Sequence, residues 1–226
     1  MLEFIKFRSI IRLPVLIERV KKISEYNKKP LPVIEFKGTV KLHGENIGIL
    51  FDKKTGEIAI QTRKKIINED NGNGVYLWFE ENKKAIKSLF FTGCVHFKCE
   101  QIVVYGEWVG KGIKKGVGVS ELSKRFIPFS VLAITGDKQI FETPINDRLF
   151  TCIDYFYEYY LKIDFNNLDG VADEIKGVVL SIEEECPVAN HYGIKGKGEG
   201  IVWKGGYDEG KKRPFMFKST GDRKYN

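Results

Sequence analysis

The chain is short of the residues that build disulfide scaffolds and membrane spans. Only four of its 226 residues are cysteine, Cys94, Cys99, Cys152 and Cys186, too few and too irregular to staple a domain of this size. Reduced thiols are therefore expected. Cys94-Val95-His96-Phe97-Lys98-Cys99 has no second Cys/His cluster to complete a four-ligand zinc site, which leaves ordinary buried thiols. No run approaches the ~18 consecutive apolar residues of a membrane span, and Met1-Leu2-Glu3-Phe4 lacks the charged-then-apolar layout of a signal peptide. The expectation is an intracellular, cytoplasmic protein with no membrane partner. Internal repeats and long linkers are missing too, so residues 1–226 read as one large domain with a substantial core.

Positive charge is abundant. The 37 Lys and Arg residues outnumber 30 Asp and Glu to give a formal charge of +7, which suits a nucleotide or nucleic acid.

Hydrophobic periodicity alternates between sheet and helix. An extended or strand-like entry over 4–10 precedes an amphipathic helix over 13–26, with Pro14 in its first turn and Leu16, Val20 and Ile23 at helical spacing. Two strands follow over 33–51, then a hairpin turn over 52–57 and a strand over 58–63. A Gly- and Asn-rich loop over 68–74 leads to a helix over 75–89, and 102–108 is β-branched and apolar like a buried strand. The Gly- and Lys-rich stretch 109–118 reads as a loop, and 126–135 as a strand that hairpins back over 139–142. Thr143-Pro144 predicts the start of a helix with Ile145, Leu149, Ile153, Phe156 and Tyr160 on one core-facing side. Acidic helical turns occupy 166–186, where Glu183-Glu184-Glu185 reads as a solvated face, and two strands over 199–203 and 214–218 close the chain. The class is α+β, antiparallel sheets flanked by helices.

One stretch carries chemistry: Thr39-Val40-Lys41-Leu42-His43-Gly44-Glu45-Asn46. Phe36, Val40 and Leu42 alternate with Thr39, Lys41 and His43, so a half-buried strand turns Lys41 away from its apolar side. An amine that is desolvated and crowded by cations gives up its proton more readily and becomes a nucleophile. Gly44 permits a turn or a close approach, and Asn46 adds a neutral donor and acceptor. Later stretches supply what attack on a nucleoside triphosphate requires. Tyr105-Gly106-Glu107-Trp108 ends a strand in a carboxylate, Phe129 lies in another, Glu199-Gly200-Ile201-Val202-Trp203-Lys204 joins a carboxylate to a lysine, and Phe217-Lys218 adds a cation.

In this order the motifs resemble the covalent nucleotidyltransferases, a family of ATP-dependent nucleic-acid ligases and mRNA capping guanylyltransferases. Lys-x-His-Gly-x-Asn is most similar to the bacteriophage RNA ligase 2 group, which includes the RNA-editing ligases. The resemblance runs from Phe7 to Lys218 and implies an adenylation domain of antiparallel sheets and helices with the nucleotide in the cleft between them. It implies an ATP-dependent RNA ligase using Mg²⁺ (or Mn²⁺), acting on RNA with 5′-phosphate and 3′-hydroxyl ends in a nicked duplex. Lys41 would form lysyl-AMP, with Lys204 and Lys218 neutralising the α-phosphate. Val40, His43, Asn46, Arg63 and Glu107 would surround the nucleotide, Phe129 would stack on adenine and Phe7 would cover it, while Glu199 would hold the metal. A DNA ligase, a GTP-dependent guanylyltransferase and a noncatalytic nucleic-acid-binding domain are the alternatives. Lys64, Lys65, Lys111, Lys114 and Lys115 are the candidate contacts to a nucleic-acid backbone.

Two departures stand out. The family's last motif reads Lys-x-Lys, whereas Thr220 stands where the second lysine belongs, with Lys224 the nearest substitute. No C-terminal accessory domain of the kind these ligases append is expected within 1–226. One spacing also conflicts with a shared site: in a regular strand Glu199 and Lys204 face opposite sides, so the strand must bend or end between them.

Overall fold

The computed structural model of the chain describes residues 2–144 and 146–221. Ile145 and Lys224, both named above, lie outside them. In chain order the elements are β1 (Ile11–Arg12), α1 (Leu13–Asn27), β2 (Val33–Val40), β3 (Glu45–Asp52), β4 (Ile58–Thr62), β5 (Ile66–Ile67), α2 (Val75–His96) and β6 (Gln101–Val109). They continue with β7 (Arg125–Thr135), β8 (Lys138–Glu142), β9 (Tyr159–Asp164), α3 (Val171–Glu184), α4 (Pro187–His191), β10 (Gly200–Asp208) and β11 (Arg213–Thr220). The mixed α+β class expected from the sequence is the one observed.

The chain divides into two compact units. The first comprises Met1–Arg8, Gly44–Lys114 and Ser123–Cys152. Its six-stranded antiparallel sheet runs β5-β4-β3-β6-β7-β8. Ile47, Ile49, Phe51, Ile60, Val104, Trp108 and Val131 alternate onto one side of it and pack on Val75, Phe79, Ile86, Phe90 and Cys94 of α2. That apolar stripe persists beyond residue 89, which is why the helix continues to His96. Burial, then the neighbouring Cys99, push the Cys94 thiol up to about 12.

The second unit comprises Ser9–His43, Lys115–Leu122 and Ile153–Asn226. Its five strands run β1-β11-β10-β2-β9, antiparallel except that β1 lies parallel to β11. Phe36, Val40, Ile201, Trp203 and Phe217 form its buried side, with Phe36 edge-on to Phe217 at 5.3 Å, and α1 and α3 pack on this sheet. Arg19 of α1 pairs with Asp208, a buried carboxylate in β10.

Of the two alternatives for 4–10 the strand is not the one formed: only Ile11–Arg12 pairs, and Ile5 exchanges its backbone hydrogen bonds with the Gln61 side chain. Two sequence expectations fail. The helix opening at Thr143-Pro144 does not form. Asn146 accepts from the Cys152 amide at 2.7 Å and Asp147 from the Leu149 amide at 3.1 Å, side-chain bonds that compete with helical ones. From Tyr159 the pattern changes to period two, with Leu161 and Ile163 buried in β9, so Tyr160 is exposed rather than part of a core stripe. No helix of the described residues is long and apolar enough to cross a membrane.

Candidate active site

In the second unit the site grows from the end of β2. The exposed side of that strand carries Lys37 and Thr39, and Lys41 follows two residues beyond, its amide donating to the Gly200 carbonyl at 2.8 Å. Lys41 Nζ lies 2.5 Å from Glu199 Oε1, and His43 Nδ1 lies 3.3 Å from Glu199 Oε2. One carboxylate therefore touches both cation-forming residues of the motif. Val40 turns its side chain to the buried side with Ile201, its cross-strand partner, so only its backbone is available to a ligand beside Lys41.

Glu199 reaches this face because β10 begins after it. Gly200 has φ 144°, a backbone conformation closed to L side chains, and a Cβ there would strike the Ser219 carbonyl. Regular alternation starts beyond that glycine. Lys204 stands directly across from Lys37, and Lys218 across from Val202, whose other partner is Thr39. Paired residues share a face, so Lys204 and Lys218 lie on the side of the sheet from which Lys41 continues. Thr220 pairs with Gly200, in Lys41's own row.

In the first unit, a second group surrounds the start of β3. The Gly44 amide donates to Glu107 Oε1 at 3.1 Å, and Asn46 stands opposite Glu107 in the ladder. A Cβ on Gly44 would meet the Trp108 carbonyl, so the backbone passes too close to β6 for any side chain. Phe129 occupies a β-bulge: Pro128 pairs with Gly106 and Ser130 with Tyr105, leaving Phe129 unpaired between them. Its half-buried ring meets Phe7 edge-on at 5.1 Å, and Phe7 also packs on Tyr105 at 5.0 Å. Arg63 lies just past β4 and is exposed, as are Lys64, Lys65, Lys111 and Lys114 of this unit and Lys115 of the other.

Several residues escaped the sequence. Buried Asn73 donates to Glu45 Oε2 at 2.5 Å, accepts from the Val75 amide at 2.9 Å, and gives its carbonyl to Trp108 Nε1 at 3.1 Å. It ties the start of α2 to the residues flanking Asn46 and Glu107. Its position just before a helix was the available signal. Gln61 and Tyr105 hold the entry segment, Gln61 exchanging two hydrogen bonds with Ile5 and Tyr105 donating to the Ile5 carbonyl at 2.8 Å. Burial pushes the Tyr105 phenol upward, which keeps it a donor.

Comparison with known proteins places this geometry. The family model described as RNA ligase matches residues 34–220. No curated protein matches the chain's sequence. Among solved structures, a Naegleria gruberi RNA ligase variant with ATP and Mn superposes with TM-score 0.60 at 20% identity, covering 98% of this chain and 58% of that one. A variant with AMP and Mn gives 0.60 at 19%, covering 98% and 57%. The Naegleria gruberi RNA ligase with PPi gives 0.59 at 19%, with the same coverage of 98% and 57%. At such identities the likeness is one of fold. The chain spans less than two thirds of the length of these structures.

Proposed function

Because the chain belongs to the RNA ligase family, we propose that residues 1–226 act as the nucleotidyltransferase domain of an ATP-dependent RNA ligase. The observation that carries this reading is the Lys41 amine, 2.5 Å from Glu199 on a face shared with Lys204 and Lys218. After losing a proton to solvent, the amine attacks the α-phosphorus of ATP. The N–P bond forms, the bond from that phosphorus to the bridging oxygen breaks, and pyrophosphate leaves with the electron pair. Lys204 and Lys218 stabilise the charge that develops on the phosphoryl oxygens.

AMP then passes from Lys41 to an RNA 5′-phosphate, which regenerates the amine. A 3′-hydroxyl attacks the activated phosphate, expels AMP and makes the phosphodiester. The substrate in this reading is a nicked duplex with 5′-phosphate and 3′-hydroxyl ends. Asn46, Arg63 and Glu107 serve the ribose and phosphate, Phe129 the adenine, and His43 and the Val40 backbone the nucleotide beside Lys41. Lys64, Lys65, Lys111, Lys114 and Lys115 serve the RNA backbone.

Mg²⁺ or Mn²⁺ fits the donors present. Glu199 Oε2 is buried and accepts no hydrogen bond of good geometry, a state that suits a hard cation. No group of three or more His, Cys, Asp and Glu side chains able to hold a metal occurs among the described residues, so Glu199 is the residue that would hold the ion. When bound, the ion neutralises phosphate oxygens.

Incubation with α-labelled ATP and Mg²⁺ tests the reading. Label that survives denaturation is expected from ATP and is lost in Lys41→Ala. Label from GTP alone indicates a guanylyltransferase, and label from neither a noncatalytic binding domain. Nicked RNA, DNA and hybrid duplexes then distinguish an RNA from a DNA ligase.

A further inference from the structure

The open face of the second unit's sheet places positive side chains where strand pairing normally avoids them. Lys37 on β2 stands directly across from Lys204 on β10. Like charges at such positions, with Cβ atoms about 5 Å apart, repel and destabilise the pair. Lys218 follows in the adjacent row on β11, and Lys41 continues the same side of β2. Three neighbouring strands thus present lysines along a path that leads to the reacting amine. Sequences break local rules of this kind where function requires it. Glu158 and Asp154 offset that repulsion in this structure, and a multiply charged anion is a chemically stronger counter-charge for the same lysines.

The counter-charge now on Lys37 is local and exchangeable. Its Nζ lies 3.1 Å from Glu158 Oε2 and 5.6 Å from the centre of the Tyr160 ring, and Tyr160 donates its hydroxyl to the same carboxylate at 2.9 Å. The Lys37 side chain is 62% exposed, and ion pairs that wet hold their partners weakly. Asp154 is a further carboxylate in range of Lys204 and Lys37.

Thr220 lies in the row of Lys41 and adds no charge to this face. Lys37 supplies a cation to the same face from the opposite direction.

We infer that Lys37 joins Lys204 and Lys218 to bind the β- and γ-phosphates of the triphosphate, and the pyrophosphate it releases, with Glu158 giving up its hold on Lys37 as the anion arrives. Lys37 makes and breaks no covalent bond; it holds the leaving group. The inference rests on Lys41 being the adenylylated residue, and its test separates the two.

Inorganic pyrophosphate, ATP and AMP are titrated by calorimetry into the full chain and into Lys37→Ala, Lys37→Arg and Glu158→Gln, each in the presence of Mg²⁺. Lys37→Ala is expected to weaken pyrophosphate about tenfold and to cut the preference for ATP over AMP by a similar factor, the scale of one charge-assisted contact. Lys37→Arg keeps the cation and stays within about threefold of the parent. Glu158→Gln removes the competing carboxylate and tightens pyrophosphate several-fold, a direction that mere structural damage does not produce. Pyrophosphate bound equally by Lys37→Ala and the parent overturns the inference, as does weakening in Glu158→Gln. If the parent takes no label from ATP yet binds pyrophosphate through Lys37, the anion site stands and the Lys41 chemistry falls. Normal labelling with pyrophosphate binding indifferent to residue 37 leaves the Lys41 chemistry standing and removes the anion site.

Discussion

The two sheets keep opposite kinds of polar face. In the second unit, Lys37, Lys204 and Lys218 project from three adjacent strands, held there by plain alternation against a buried side of Phe36, Ile201, Trp203 and Phe217. In the first, Asn46, Glu107, Gln61 and Tyr105 share a face by the same alternation with one charge among them, while Phe129 is set by a bulge and Gly44 by a close backbone approach. The lysine row needs only the strand period, and Glu199 needs the glycine conformation at Gly200. Shape needs backbone exceptions. Each face is exposed to a different kind of damage.

The charged face breaks most severely at Glu199, the carboxylate in contact with Lys41 and His43. Glu199→Ala is expected to slow labelling by α-labelled ATP about a hundredfold or more, on the scale of losing a principal electrostatic group. Titrating Mg²⁺ in the same assay sharpens the result, because a lost metal donor is partly offset by excess cation whereas a lost orienting contact is not. A drop below tenfold at every Mg²⁺ concentration, limiting as well as saturating, removes Glu199 from the chemistry.

The shaped face breaks through the backbone. Gly44→Ala places a methyl against the Trp108 carbonyl and beside Glu107 and Val109, none of which is a flexible tip except Glu107. The strand must shift, at a cost on the order of 2 kcal/mol, read as a lowered midpoint in urea. Unchanged stability would mean that the close approach of β3 to β6 is dispensable, and the contrast between the faces would lose its physical basis.

That contrast also explains what could be read in the sequence. Alternation exposed the Lys41 strand, the buried runs behind it and the α+β class, because period two and period 3.6 survive in any linear reading. Lys37 was not singled out in the sequence, because only the register with Lys204 gives its position meaning. The Phe129 bulge was signalled by Pro128, which cannot donate to a ladder, but proline alone does not say which neighbour is re-aimed. The helix expected after Thr143-Pro144 failed for a related reason: Asn146 and Asp147 bind nearby amides, and Leu161 and Ile163 fit period two once β2 is there to pair with. For Asn73 the sequence offers the local bond to the Val75 amide at a helix start, while its partners Glu45 and Trp108 appear when β3, β6 and α2 are assembled.

The smallest expected effect concerns Asp154, the carboxylate behind the lysine row. Burial raises its affinity for a proton above that of an ordinary aspartate; Glu158 adds to this, and Lys204 and Lys37 oppose it. The folded state therefore binds the proton more tightly than the unfolded chain does, so stability is highest below the ordinary aspartate range and falls as pH rises through the window between the two values. Asp154→Asn removes that slope. Its melting temperature should match the parent's near pH 4 and exceed it at pH 7 by no more than about 2 °C, because the group keeps part of its hydration. If the variant instead melts lower at pH 7 than the parent does, the lysines outweigh burial, and Asp154 is a stabilising counter-charge of the cationic face rather than a cost of building it.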